Sequence, residues 1–117
     1  MTSKNQSIRI EFIKGTDEKV HPEIRLNRNR DKKSGKAIYK FLNPTSVSDK
    51  NFKNVQKMYL IDKEGEISTR KININILDNK SIEIESIYSW NSEMDFNRFM
   101  RFAKRYAEFN SLTTERR

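Results

Sequence analysis

The chain has 117 residues, of which 34% are hydrophobic and 34% are charged, a composition that fits one domain with a small core. The 24 Lys and Arg residues outnumber the 16 Asp and Glu residues and give a net charge of +8, which favours polyanions, anionic membrane surfaces or acidic protein patches as partners. The lack of cysteine excludes disulfides, thiolate catalysis and cysteine-based metal sites, and no stretch reaches the roughly 18 apolar residues that a membrane-spanning helix needs.

The first half of the chain predicts strands joined by turns. Residues 7–14 alternate between apolar and charged side chains, which is typical of a half-buried strand. A second strand is expected over residues 24–30 and a third over residues 37–42. The short loop between them, residues 31–35, contains a glycine, so we predict an antiparallel hairpin.

The second half predicts further strands. Residues 43–54 are polar and allow a short helical turn, and strands are expected over residues 55–62, 66–76 and 81–88. The alternation of apolar and polar residues in the last of these shifts near Ser86, which predicts a β-bulge.

A long helix is expected over residues 96–110, where apolar residues recur at three- and four-residue steps. Ser92 is predicted as its N-cap, with Asp95 placed to return a hydrogen bond to the backbone. Three basic residues suit the negative C-terminal end of this helix, namely Arg101, Lys104 and Arg105.

These elements indicate the α+β class: an antiparallel β-sheet of about four to six strands packed against a long C-terminal helix and short helical turns. We expect residues 1–117 to form a single domain, with frayed polar ends over residues 1–6 and 112–117. Residues 1–12 contain no apolar signal core and lead straight into the first strand, so neither a signal peptide nor a transit peptide is predicted.

No catalytic constellation is recognisable, so the protein is predicted not to be an enzyme. The single histidine, His21, precedes a proline in a loop and is expected to be structural or solvated rather than a ligand. One turn carries acidic residues that could attract a cation, but hairpin turns commonly carry such charges. These residues are Asp62, Glu64 and Glu66. No metal site and no cofactor are therefore predicted.

Two groups of arginines form the candidate partner-binding surface. The planar guanidinium holds carboxylates and phosphates through paired hydrogen bonds. The helix group is expected on a face left free to meet an acidic partner, although a solvated face that only favours solubility explains the pattern equally well. The candidates are Arg25, Arg28 and Arg30 on the second strand and its turn, and Arg98, Arg101 and Arg105 on the helix.

Aromatic residues beside the basic strands leave another function class open, a small basic RNA-binding module, because such rings stack on bases. Aromatic residues in alternating strands are more often core residues, and no RNP-like or GXXG motif accompanies them. The rings concerned are Tyr39, Phe41, Tyr59, Tyr88, Phe99 and Phe102.

Three segments go beyond general patterns. The central one is MYLIDKEGEISTR, residues 58–70, and the helix segment contains RFMRF and RYAE within residues 98–108. The opening segment comprises residues 10–12, Gly15, residues 25–28, Arg30 and Gly35. Together, in this order and over about residues 8–112, they resemble the Psb28 family of photosystem II assembly factors.

The resemblance implies an extrinsic, non-catalytic protein on the cytosolic or stromal side of the thylakoid membrane, without a cofactor of its own. Family members bind transiently to photosystem II intermediates that lack the oxygen-evolving apparatus. The implied contact lies on the chlorophyll-binding core antenna and the reaction-centre loops, where the protein reshapes and protects the acceptor side. Membrane association is then peripheral, through protein contacts, and nucleic acid is not an expected partner.

Two further expectations accompany this interpretation. The heavy use of Asn, Lys and Ile is typical of AT-rich genomes and suggests a plastid-encoded origin. An open sheet edge is expected to accept an extended segment of the partner by strand addition. Besides the RNA-binding module, a structural subunit that stays in the mature complex remains an alternative.

Overall fold

The computed structural model describes residues 8–112, which form seven strands, one short 3-10 helix and one α-helix. The first four strands are β1 (Arg9–Glu11), β2 (Glu23–Arg28), β3 (Gly35–Leu42) and β4 (Met58–Asp62), and the 3-10 helix Phe52–Asn54 precedes β4. The remaining elements are β5 (Gly65–Thr69), β6 (Ile72–Ile76), β7 (Ile82–Trp90) and α1 (Glu93–Phe109).

The strands form two antiparallel sheets, with the strand orders β1-β4-β5 and β2-β3-β7-β6. The predicted α+β class is therefore confirmed, as are the hairpin between β2 and β3 and the short helical turn before β4. The strands do not form one sheet of four to six strands, however, but two sheets of three and four strands.

The predicted strand over residues 66–76 is divided in two because the chain bends between the sheets. β5 pairs with β4, whereas β6 pairs with β7. At the bend the Ile87 N–H donates to the Lys71 carbonyl at 3.0 Å, and Thr69 Oγ1 donates to the Ile87 carbonyl at 2.6 Å. One long bent segment therefore joins both sheets around a common core.

The bulge predicted near Ser86 is wrong. β7 keeps one register with both of its neighbours, and Ser86 lies opposite Tyr39 on β3 and Ile72 on β6. Ser86 is fully buried at an inward-facing position. The apparent shift in the sequence is therefore a polar side chain at a core position, without an extra residue.

The core lies between the two sheets and the inner face of α1. Trp90 of β7 stacks on Phe99 of the helix with ring centroids 5.4 Å apart, and Tyr39 of β3 meets Phe99 edge-on at 6.2 Å. Full burial of a side chain such as Phe99 contributes about 1.5–3 kcal/mol. The helix is therefore held on the sheets chiefly by aromatic contacts.

The helix starts with the predicted cap but ends differently. Ser92 is confirmed as the N-cap, because its Oγ accepts a hydrogen bond from the Asp95 N–H at 3.1 Å, and the helix begins at Glu93, before the predicted start. It ends at Phe109 with no basic residue in its last turn. The prediction that Arg101, Lys104 and Arg105 lie at the C-terminal end of the helix is therefore wrong.

Most of the residues expected to fray, 1–6 and 112–117, lie outside the described residues. Leu112 belongs to the described part, and its N–H donates to the Ala107 carbonyl at 2.8 Å. Its side chain packs against the core. The chain is thus held in place up to this residue.

Candidate docking surface

Arg98 of the helix is bound to Asp62 at the end of β4. Arg98 Nη1 lies 3.0 Å from Asp62 Oδ2, and Nη2 lies 2.8 Å from Oδ1. The Asp62 side chain has 0% exposure and that of Arg98 has 17%. This is a two-pronged ion pair in a largely buried setting, and it leaves little of the guanidinium for a partner.

The other two helix arginines bind Glu64, in the turn between β4 and β5. Arg101 donates from Nε and Nη2 to the two Glu64 oxygens at 2.7 and 2.8 Å. Arg105 Nη1 lies 2.6 Å from Glu64 and 2.9 Å from Asp62, so it bridges the two carboxylates. We call these residues the carboxylate–arginine cluster: Asp62, Glu64, Arg98, Arg101 and Arg105.

The pKa values of the cluster reflect this pairing. Hydrogen bonds from Arg101 and then from Arg105 lower the pKa of Glu64 to about 2. Burial raises the pKa of Asp62, but the hydrogen bonds from Arg98 and Arg105 outweigh this effect, so its pKa lies below the usual value. Both carboxylates are therefore ionised across the physiological pH range.

The local sequence explains how the cluster forms. The Glu64 N–H donates to Asp62 Oδ1 at 2.9 Å, and Gly65 completes the turn with a φ of 120°. This turn places both carboxylates beside the helix. Residues three, four and seven apart lie on one helix face, which brings the three arginines to the turn together.

The cluster corrects two expectations. The helix arginines do not form a free docking face, since only Arg101, with a side chain 49% exposed, presents much surface to solvent. In the acidic turn that could attract a cation, Asp62 and Glu64 instead bind the guanidinium groups of the helix arginines. Glu66, the third acidic residue of that turn, forms an ion pair with Lys14.

The arginines of the second strand do not form one strip. Arg25 lies opposite Ile38 on the outer face of the sheet, whereas Arg28 lies on the face that carries the core. Arg28 packs over the ring of Phe96 at 4.0 Å and donates a hydrogen bond to the Lys32 carbonyl. Arg30 lies beyond the strand in the turn. The predicted strip is therefore dispersed over two faces and a turn.

Within residues 8–112, β2 forms an open edge of the four-stranded sheet, and all six of its residues are exposed. The Asn29 N–H donates to the Ser34 carbonyl at 2.9 Å, so the backbone N–H and C=O groups of the odd-numbered residues of β2 point toward β3. Since hydrogen-bonded and non-hydrogen-bonded pairs alternate, the backbone groups of Ile24, Leu26 and Arg28 point away from β3. Ile24 and Leu26 are 40% and 43% exposed. Sequence reasoning did not identify this edge, because alternation does not reveal strand order.

Most of the aromatic residues proposed to stack on bases are taken up by the core. Five of the six rings lie in the core or are half-buried against it, as Tyr88 is against Phe99 with centroids 5.3 Å apart. Tyr59 is the exception: it is half-buried on β4, with Lys14 Nζ 4.4 Å and Lys57 Nζ 5.9 Å from its ring centroid. His21 lies edge-on to Tyr106 at 5.9 Å. Among the rings proposed to stack on bases, four are fully buried: Tyr39, Phe41, Phe99 and Phe102.

None of the helices within residues 8–112 has the length and apolar content to cross a membrane.

The model of one protein family, described as Psb28 protein, matches residues 10–114. The Photosystem II reaction center Psb28 protein of Prochlorococcus marinus strain NATL1A is 55% identical over 97% of this chain and 98% of its own length. The protein of the same name from Synechococcus sp. strain CC9605 is 42% identical over 88% of this chain and 81% of its own.

Proposed function

The chain belongs to the Psb28 family, and from this membership we propose that it is an extrinsic, non-catalytic assembly factor of photosystem II. It binds transiently to intermediates on the cytosolic or stromal face of the thylakoid membrane. Its partners there are the chlorophyll-binding core antenna and the reaction-centre loops, and it protects or reshapes the acceptor side. The observation that carries the proposal is the match to curated relatives over nearly the whole chain, whose names place them with photosystem II.

The β2 edge is the proposed attachment point for the partner. Three residues direct their amide and carbonyl groups outward there: Ile24, Leu26 and Arg28. An extended segment can pair with such a row of groups and bury the half-exposed side chains beside it. Arg25 and Arg30 flank this edge, and neither takes part in an ion pair among the described residues. These two arginines are proposed to bind carboxylates of the partner.

The other four arginine candidates are assigned indirect roles. Arg98, Arg101 and Arg105 hold the β4–β5 turn against the helix and so keep the domain in shape. Arg28 joins the β2–β3 turn to the start of the helix, because it contacts both Phe96 and the Lys32 carbonyl. A partner that binds β2 would meet a hairpin whose position is fixed by these contacts.

Capture of membrane complexes by the tagged protein tests the proposal. The protein is incubated with thylakoid membranes, and the bound complexes are resolved by native electrophoresis and mass spectrometry. The proposal predicts recovery of photosystem II that lacks its oxygen-evolving subunits. Recovery of RNA or ribosomal proteins that are lost on nuclease treatment would favour the RNA-binding module and overturn the proposal.

A further inference from the structure

Positive charge is concentrated on the hairpin of β2 and β3. Residues 25–36 contain six Lys and Arg side chains and one Asp, a net charge of +5 within a chain of +8. All six cationic residues are exposed. Among residues 8–112, none of them takes part in an ion pair, in contrast to the helix arginines. They are Arg25, Arg28, Arg30, Lys32, Lys33 and Lys36.

The end of this hairpin, residues 29–36, is a well-fixed turn that we call the basic tip. Asp31 Oδ1 accepts hydrogen bonds from the Lys33 and Ser34 N–H groups at 2.8 and 3.1 Å. The Asn29 side chain donates to Ser34 Oγ at 2.7 Å. The single carboxylate of the tip, that of Asp31, is thus hydrogen-bonded to backbone N–H groups of the turn. The basic side chains of the tip are exposed to solvent.

The shape of the basic tip indicates what it contacts. Arg30, Lys32 and Lys33 lie around a convex turn, and Lys36 lies on the outer face of the sheet opposite Asn27. A broad anionic plane can contact such a set of exposed cations together, without needing a groove or a pocket. The cleft lined by His21, Lys40 and Leu42 lies at the other end of β3, away from the tip.

We propose that the basic tip binds anionic lipid headgroups, so that the protein contacts the membrane surface directly as well as through a protein partner. Each basic side chain close to an anionic lipid surface raises affinity roughly fivefold at physiological ionic strength. The acidic residues Glu93 and Asp95 of the first helix turn are close in sequence to Phe96, over whose ring Arg28 packs at 4.0 Å. The lipid contact is therefore assigned to the turn residues Arg30, Lys32 and Lys33 and not to Arg28. Contact through the tip leaves the backbone groups of β2 and the side chain of Arg25 free for the proposed partner strand, and Arg30, which lies between the two surfaces, contributes to both.

Vesicle co-sedimentation of the full chain tests this inference. Wild-type protein is mixed with phosphatidylcholine vesicles that contain either no anionic lipid or a substantial fraction of phosphatidylglycerol. We expect binding to the anionic vesicles only, and release at high salt. The variant Arg30→Glu/Lys32→Glu/Lys33→Glu is expected to bind at least about tenfold more weakly. Equal binding of wild type to both kinds of vesicle would overturn the inference.

Two further variants separate charge position from total charge and from folding. Lys50→Glu/Lys71→Glu/Lys104→Glu makes the same change in net charge at exposed positions elsewhere and is expected to keep most of the binding. Arg30→Gln/Lys33→Gln is a milder change that keeps the backbone of the tip, and it should give an intermediate loss. Equal losses in both triple variants would show that only net charge matters and would contradict a specific tip.

The inference takes one element from the proposed function, namely that the membrane concerned is the thylakoid membrane. If wild-type protein captures photosystem II normally but does not bind anionic vesicles, the lipid contact alone is refuted. Vesicle binding without capture of photosystem II would refute the assembly role alone. Binding of the tip to homopolymer RNA, without any binding to vesicles, would assign it to nucleic acid instead.

Discussion

Arg98 and Asp62 connect the helix to the end of β4 through two parallel hydrogen bonds of 3.0 and 2.8 Å. Asp62 has no exposed side-chain surface, and Arg105, two helical turns beyond Arg98, binds it at 2.9 Å. Arginines that a sequence suggests as a docking face are here part of the internal structure. The arginines of the β2–β3 hairpin, by contrast, form no ion pair among residues 8–112.

Loss of the Asp62 charge should strongly destabilise the domain. Asp62→Asn keeps the side-chain volume but leaves Glu64 as the only carboxylate that Arg98 and Arg105 contact. Breaking a buried ion pair in this way costs about 3 kcal/mol of stability. Urea unfolding followed by circular dichroism measures the change. Asp78→Asn, at an exposed turn position, should change the free energy of unfolding by less than about 0.5 kcal/mol. Equal effects of the two substitutions would contradict the structural role of the cluster.

Stability should fall as the pH drops below the usual range of carboxylate titration. Folding lowers the pKa of Glu64 from 4.5 to about 2, so its stabilising effect is complete above about pH 4.5 and disappears as the pH approaches 2. The free energy of unfolding of wild type and Glu64→Gln should therefore converge across this window. If the free energies of unfolding of wild type and Glu64→Gln instead stay a constant distance apart between pH 4.5 and 2, the lowered pKa of Glu64 is contradicted.

Glu18 should be important for the loop after β3. Its carboxylate accepts hydrogen bonds from the backbone N–H groups of Val20, Thr45 and Ser46 at 2.8–2.9 Å. Glu18→Gln replaces charge-assisted bonds and turns an amide donor toward N–H groups, at a cost of about 2 kcal/mol. Thermal unfolding measures the effect. Glu23→Gln, exposed on β2, is the matched control and should leave the melting temperature unchanged.

A proline at the open edge should distinguish between the two free edges of the four-stranded sheet. Leu26→Pro removes an N–H that points outward from β2, so the pairing with β3 is kept while a partner strand loses a donor. Ile74→Pro makes the same change on β6, where the Ile87–Lys71 hydrogen bond shows that even-numbered residues face outward. We expect reduced capture of photosystem II intermediates with Leu26→Pro only. Loss with Ile74→Pro alone would move the docking edge to β6.

The local patterns in the sequence were reliable for element type and for the family. The Ser92 cap, the β2–β3 hairpin and the α+β class follow from short-range rules and are confirmed, and the resemblance to the Psb28 family is confirmed by the match over residues 10–114. These features depend on residues close together in the chain. Strand order and the split of residues 66–76 into two sheets depend on distant contacts, which alternation does not encode.

The candidate site was harder to predict, because charge partners are set by tertiary packing. Glu11 shows the difficulty, since this acidic residue of the half-buried strand predicted over residues 7–14 is itself buried and accepts hydrogen bonds from the Arg9 side chain and the Gly15 N–H. The pairing of Asp62 with Arg98 spans 36 residues of sequence. The only available signal was an acidic hairpin turn together with arginines spaced along one helix face.

The most direct test of the assembly role is the amount of this protein relative to photosystem II in separated complexes. Quantitative mass spectrometry would be applied to intermediates without the oxygen-evolving subunits and to mature complexes from the same membranes. We predict enrichment in the intermediates and near absence from the mature complex. An equal ratio in both fractions would identify a permanent structural subunit and contradict transient binding.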